Sequence, residues 1–350
     1  MSEAAESVLR FPCKSCGAKL AWKPGAANLT CEYCGYTEAV PTEKGQVVEH
    51  AFADYRPEST GWDTTLKSWE CKQCGSLTER EPHITAGACI FCGSNQVAPM
   101  AQSPRLHKPE SVLPFQIGKD QCGTLFKTWV KGLWFRPDAL KHEARTDGVT
   151  GVYIPFWAFD TLTWSFWNAE AGYYYYETND KGERERKTRW EWADGTYSEF
   201  FDDVLAPGSQ SVEPKLAQAI EPFDTKALTP YKPDFLAGYA AEDYRIDMPQ
   251  AWLTAKQRID SKIRQECESR IPGDTNRNLS VSTSYLNRAY KLCLLPIWIS
   301  SYRYQGKTYN YIVNGQTGRV SGRAPFSWVK ISVFVLSLVA LFATIYHFSQ

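Results

Sequence analysis

The sequence predicts an α+β protein with two N-terminal four-cysteine ribbons, an antiparallel-sheet domain with packed helices, and an apolar C-terminal helix. Three observations predict it. Eight of the eleven cysteines fall into two copies of the spacing C-x2-C-x14-C-x2-C, as Cys13, Cys16, Cys31 and Cys34, then Cys71, Cys74, Cys89 and Cys92. From Val152 to Val320, aromatic and β-branched runs are punctuated by turn residues, the pattern of strands. From Ile331 to Phe348 no Lys, Arg, Asp or Glu occurs.

The ribbons come first, over residues 10–45 and 66–98, with a linker over 46–65 that has no sustained period. Glycine follows each Cys pair, at Gly17, Gly35, Gly75 and Gly93. A turn that aims backbone N–H groups at a thiolate often needs positive φ, which glycine adopts without steric cost. Two such knuckles can close a tetrahedral site of four thiolates, so the spacing predicts two structural Zn2+ ions. Iron in a rubredoxin-like site is the main competitor, and a disulfide framework is the other. With all four ligands supplied by protein, no position is open for water, so these centres hold folds and catalyse nothing. His50 and His83 read as loop residues, because neither site has a vacancy. The remaining Cys122, Cys267 and Cys293 sit in apolar or helical contexts and read as buried thiols.

Charge narrows the partner. The chain holds 39 basic and 39 acidic residues, so no overall positive field recruits nucleic acid. Residues 1–100 hold nine Lys or Arg against twelve Asp or Glu, and two closed four-thiolate sites take that segment to about −7. Nucleic acid is therefore disfavoured as the main ligand, although Lys14, Lys19 and Lys23 give the first ribbon a small basic edge.

The α+β domain is expected over 110–325. A helix is predicted from Lys119 to Lys131, with a short helical turn over Pro137 to His142. Strands follow at Val152–Trp167, Tyr173–Tyr176, Thr188–Trp192 and Thr196–Phe201, turning at Asn179–Gly182 and again at Asp194-Gly195. A long helix should start near Pro249 and stop before Pro272-Gly273, with Ala251, Ala255, Ile259 and Ile263 on its buried face. Ile154-Pro-Phe-Trp157 is echoed by Leu295-Pro-Ile-Trp298, which raises a duplicated β unit with the helices on one face.

The last eighteen apolar residues span roughly 27 Å as a helix, near the thickness of a hydrocarbon core, so a transmembrane helix is predicted over 329–348. Trp328 and Tyr346 read as interfacial anchors. Arg319, Arg323 and Lys330 precede it and imply a tail-anchored protein with its bulk in the cytoplasm. Enzyme motifs fail. Gly306-Lys307-Thr308 has serine at 301 where a P-loop needs glycine, and His142-Glu143 has no histidine four residues after the first.

Taken together, the C-x2-C-G knuckles, Tyr153-Ile-Pro-Phe-Trp157, Leu294-Leu-Pro-Ile-Trp298, Asn314-Gly-Gln-Thr-Gly318 and Gly322-Arg-Ala-Pro325 resemble a bacterial family of tail-anchored membrane proteins. That family carries zinc ribbons of the transcription-factor-IIB type. Such proteins are often labelled as relatives of the primosomal replication-restart helicase, but this chain has neither P-loop nor helicase acidic box. The resemblance implies a non-enzymatic membrane scaffold with protein partners, flotillin-like or phage-shock-like, in envelope stress. A membrane-tethered nucleic-acid-binding ribbon protein is the alternative, and an enzyme with scattered catalytic residues is a third reading.

Overall fold

The computed structural model describes residues 11–40, 47–57, 67–80, 89–91, 94, 96–100, 107–138, 149–304 and 307–348. Short strands come first. β1 (Leu20–Lys23), β2 (Asn28–Cys31) and β3 (Thr37–Ala39) form the first ribbon's antiparallel sheet. β4 (His50–Ala51) follows, and then β5 (Lys67–Cys71), β6 (Leu77–Arg80) and β7 (Val97–Pro99) form the second ribbon in the order β6-β5-β7. β8 (Ser111–Val112) leads into helix α1 (Lys119–Gly132), which matches the expected helix within one residue. His83, Cys92, Gly93 and residues 139–142 of the turn expected over Pro137 to His142 lie outside the described residues.

Three long strands then dominate. β9 (Thr150–Thr178) and β10 (Arg184–Pro207) form one hairpin, and β13 (Thr275–Tyr304) lies on the other side of β9. The turn at Asn179–Gly182 is as expected, with Gly182 at φ 79°. The turn expected at Asp194-Gly195 is absent, and Gly195 instead pairs with Trp167 in mid-strand. A side chain there would meet the Trp167 ring at 2.7 Å, so this glycine makes room for an indole and does not bend the chain. The expected short strands are thus fused into strands of 29 and 24 residues, the first running roughly 90 Å.

Between β10 and β13 come α2 (Pro214–Ala219), β11 (Thr229–Pro230), β12 (Ala240–Ala241) and α3 (Met248–Glu268). The Asp247 side chain accepts from the Gln250 backbone N–H at 3.0 Å and Pro249 sits in the first turn, as a helix start should. β14 (Lys307–Asn314) and β15 (Val320–Gly322) complete the sheet in the order β10-β9-β13-β14-β15. The chain ends in α4 (Trp328–Phe348), whose Trp328–Tyr346 stretch is long and apolar enough to cross a membrane and has no buried residue.

Strand alternation separates two faces. On one, Tyr153, Leu294, Trp298, Tyr311 and Val313 pack with Leu20, Trp22 and Leu29 of the first ribbon and Phe126 of α1. On the other, Val152, Ile154, Phe156, Leu295 and Ile297 pack with Cys71, Cys89 and Phe91 of the second ribbon and Ala217 of α2. The ribbons therefore clamp opposite faces of the sheet's base, and the helices do not all share one face. Pro155 pairs with Leu294 and Tyr153 with Pro296, so the two similar Pro-x-Trp segments are direct neighbours across β9 and β13.

Further toward the hairpin, the faces diverge. Trp157, Phe159 and Trp167 lie under Ala251, Trp252, Ala255, Ile259 and Ile263 of α3. The opposite face is open beyond a charged belt at Asp160 and Lys291. There Leu162 sits between Phe200 and Leu286, Trp164 between Ser198 and Ser284, and Phe166 between Thr196 and Ser282. Trp164 is 55% exposed and Trp192 69%.

The linker is also more structured than its lack of period implies. β4 pairs with Ala289 and Tyr290 of β13, and Phe52 and Tyr55 pack edge-to-face against Trp252 and Trp157 at 5.5 and 6.3 Å. His50 Nε2 lies 3.1 Å from the Glu110 carboxylate, so it is a sheet-edge residue and not a free loop histidine.

Candidate metal centres

Each knuckle repeats one hydrogen-bond pattern. In the first, Cys13 N donates to Ala18 O and Gly17 N to Cys13 O; the second and third repeat this from Cys31 to Tyr36 and from Cys71 to Ser76. Cys89 N donates to Ser94 O in the fourth. Gly17, Gly35 and Gly75 all hold φ near the expected left-handed value, at 76°, 75° and 75°. The turn then aims further amides at sulfur. Ala18 N–H faces Cys16, Tyr36 N–H faces Cys34, and Ser76 N–H faces Cys74, while Phe91 N donates to Cys89 Sγ at 3.4 Å. The Tyr36 amide, followed by the neighbouring Cys16, holds the Cys34 thiol down to about 6.

The four Sγ atoms of Cys13, Cys16, Cys31 and Cys34 lie within 4.8 Å of one another, as do those of Cys71, Cys74 and Cys89. Cys13 and Cys34 are 3.5 Å apart, Cys16 and Cys31 3.6 Å, and Cys74 and Cys89 3.6 Å. A tetrahedral ion with bonds near 2.3 Å separates its sulfurs by about 3.8 Å, so the donor sets fit a tetrahedral metal ion. None of these cysteines is in a disulfide.

The two centres differ in setting. In the first, Cys13 and Cys31 are buried while Cys16 and Cys34 face solvent. In the second, Cys71 and Cys89 belong to the core on one face of the sheet, as Cys13 and Cys31 do on the other, but Cys74 is half-buried, and the Ser76 hydroxyl stands 3.2 Å from Cys89 Sγ. One strap, residues 235–245, ties both ribbons to the sheet. Its first half packs Phe235 edge-to-face against Trp22 at 4.9 Å and accepts the Trp22 backbone N–H at Ala237 O. Its second half donates from Asp243 N to Leu77 O and pairs Arg245 with Glu70 at 2.6 Å. Between them β12 runs parallel to β9 at Val152 and Tyr153.

Sequence reasoning missed the buried charges. Glu242 is fully enclosed beside the second ribbon, accepts from Ser209 Oγ at 2.7 Å and from Ser211 Oγ, and its carboxyl is pushed up to about 8 by burial. Asp160, Asp202 and Asp203 bring carboxylates within 4.8 Å of one another at a bulge between β9 and β10. Lys291 supplies their counter-ion, 2.6 Å from Asp203 and 2.8 Å from Glu49. Asp203 holds φ at 52°, and the Asp202-Asp203 pair after a strand pattern is the signal by which sequence could have found the bulge. Cys122, Cys267 and Cys293 are buried, and burial pushes the Cys122 thiol up to about 12, as inert core thiols require.

These features define a class: a mixed α+β protein with, among the described residues, two cysteine clusters suited to metal ions and one candidate membrane-spanning helix near its C-terminus. No family model matches the chain, and no solved structure matches it. Its sequence is similar to the uncharacterized protein YdjG of Bacillus subtilis strain 168, 27% identical over 344 residues, covering 93% of each chain.

Proposed function

We propose that this protein is a non-enzymatic, membrane-anchored scaffold that holds two structural zinc ions and binds another protein on the far half of its long sheet. The observation that carries the reading is the bare aromatic face of Leu162, Trp164, Phe166, Trp192 and Phe200, at the opposite end of the sheet from α4. Topology supports that placement. β15 runs from Val320, level with Val313 and Trp298, to Gly322, level with Tyr311 and Ser300, and so leads away from the hairpin tip toward the helix. Exposed apolar side chains gathered on one face, with Trp164, Phe166 and Phe200 on neighbouring rows and Trp192 two rows further on, mark contact with a partner. Along the strands, the face lies tens of ångströms from the level at which β15 leads toward α4. Its cations are largely engaged: Arg277 pairs with Glu170 at 2.5 Å and stacks on Trp190, and Arg186 stacks on Tyr174. Neutral serines and threonines flank the rings, which suits a protein surface better than a phosphate backbone.

Zinc is the ion we assign, on the duplicated knuckle spacing and the four-thiolate donor set of the first ribbon. The basic residues before α4 support an orientation with the ribbons and sheet in the cytoplasm. The partner class implied by the family resemblance, flotillin-like or phage-shock-like membrane-stress proteins, belongs to the same reading. Full-length protein purified from gently solubilised membranes should contain two zinc ions per chain and little nucleic acid. Nucleic-acid binding that falls steeply with salt, without a protein partner, would move the function to the alternative.

A further inference from the structure

The turn after α1 carries a large apolar side chain in an unexpected place. Trp134 is 66% exposed, yet its ring lies 6.1 Å from that of Phe334 in α4. Phe135 packs on the same Phe334 ring at 5.3 Å. Phe334 is six residues past the start of the helix at Trp328, roughly 9 Å along its axis, and three past the start of the uncharged run at Ile331.

The turn is clamped to the base of that helix. Phe135 O accepts from Ser327 N at 2.8 Å, and Arg136 donates to Ala324 O while stacking on Phe326 at 3.7 Å. Asp138 pairs with Lys330 at 2.7 Å. Turn and helix base therefore keep a fixed relative depth. The Asp138 pair also means that Lys330 contributes less free positive charge at this boundary than the sequence implies.

We infer that Trp134 and Phe135 form a second membrane contact, a wedge that enters the lipid interface beside α4. The inference rests on the reading of α4 as a membrane anchor. If α4 enters the bilayer at Ile331, its contact at Phe334 carries Trp134 to the headgroup and upper acyl level, where an indole's apolar body and polar N–H are both satisfied. Phe326, Trp328 and Val329 are exposed around the helix base and continue the same apolar collar. Lys131, exposed on the last turn of α1, and Arg136 lie where anionic headgroups would meet them. A single span allows the attached domain to swivel; a span and a wedge together hold the base against the membrane and set the direction of the long sheet.

The test places a benzophenone amino acid at position 134 of the full-length chain. The protein is reconstituted in vesicles of phosphatidylethanolamine with a minor share of phosphatidylglycerol, and also left in its native membrane. The same probe at Leu341 reports the anchor, and at Tyr33, exposed on the first ribbon, it reports the background. Metal content equal to the parent's confirms folding. The inference expects lipid adducts at 134 and 341 and none at 33. Adducts at 341 without any at 134 would overturn the wedge and leave the anchor standing, and adducts at neither would remove the anchor and the wedge together. Protein adducts in place of lipid adducts at 134 in the native membrane would also overturn it, making this turn a protein contact.

Discussion

At the base of the long sheet, both faces of β9 are buried from Gly151 to Thr161, whereas toward the hairpin only the face beneath α3 is covered. The base holds its strands between two ribbons, α1 and α2, and its residues alternate between two cores. The far half has one core and one open face, separated from the base by the belt of Asp160, Asp202, Asp203 and Lys291. The difference separates two jobs. Residues at the base determine whether the chain folds, and residues on the open face can change without unfolding it.

The sharpest break in that comparison is a ligand substitution at the base. Cys71→Ser removes a thiolate that is also part of the sheet's core. We expect loss of one of two metal ions and a fall in stability of several kcal/mol, since metal binding and folding are coupled. Elemental analysis with thermal melting checks both. Cys34→Ser, at an exposed ligand of the first ribbon, should lose one ion as well with a smaller drop in melting temperature. Equal drops would mean that the buried Cys71 thiolate adds nothing to stability beyond its role as a ligand.

A smaller effect belongs to the covered side of the far half. Asp247→Ala removes the cap of α3 and should cost about 1 kcal/mol in denaturant unfolding, with metal content unchanged. The belt between the halves predicts a pH dependence. Burial pushes the Asp160 carboxyl up to about 7. The folded chain thus keeps a proton that the unfolded chain releases above about pH 4. Over that window the folded state binds more protons, so this group's contribution to stability is greatest at low pH and is lost as pH rises to about 7. Asp160→Asn should flatten that slope in melting temperature against pH. The least effect on stability is expected on the open face, where Trp164→Ser together with Phe166→Ser should shift unfolding by no more than about 0.5 kcal/mol for each residue.

Much of this plan was legible in sequence, for reasons that are local. The cysteine spacing, the knuckle glycines, the Asn179–Gly182 turn and the start of α3 near Pro249 each encode structure within a few residues. What was hidden depends on long-range register. Asp194-Gly195 has the composition of a turn, but continuous pairing with Asn168 and Trp167 overrides it. Phe52 and Tyr55 lie in an aperiodic linker because they pack as single anchors on β9 and α3. Nothing in the spacing of the two ribbons says that they bind opposite faces of one sheet, since that arrangement is set by the 235–245 strap far along the chain. The buried Glu242 and Lys291 were unreadable for the same reason: their partners are remote in sequence.

The most direct test of the account is a paired capture from gently solubilised membranes. It compares the full-length chain with its Trp164→Ser, Phe166→Ser variant, matched for expression, metal content and membrane recovery. The account predicts a stoichiometric protein retained by the parent and lost by the variant, with little nucleic acid in either. Equal retention by both chains, or a nuclease-sensitive load without a protein partner, would contradict it.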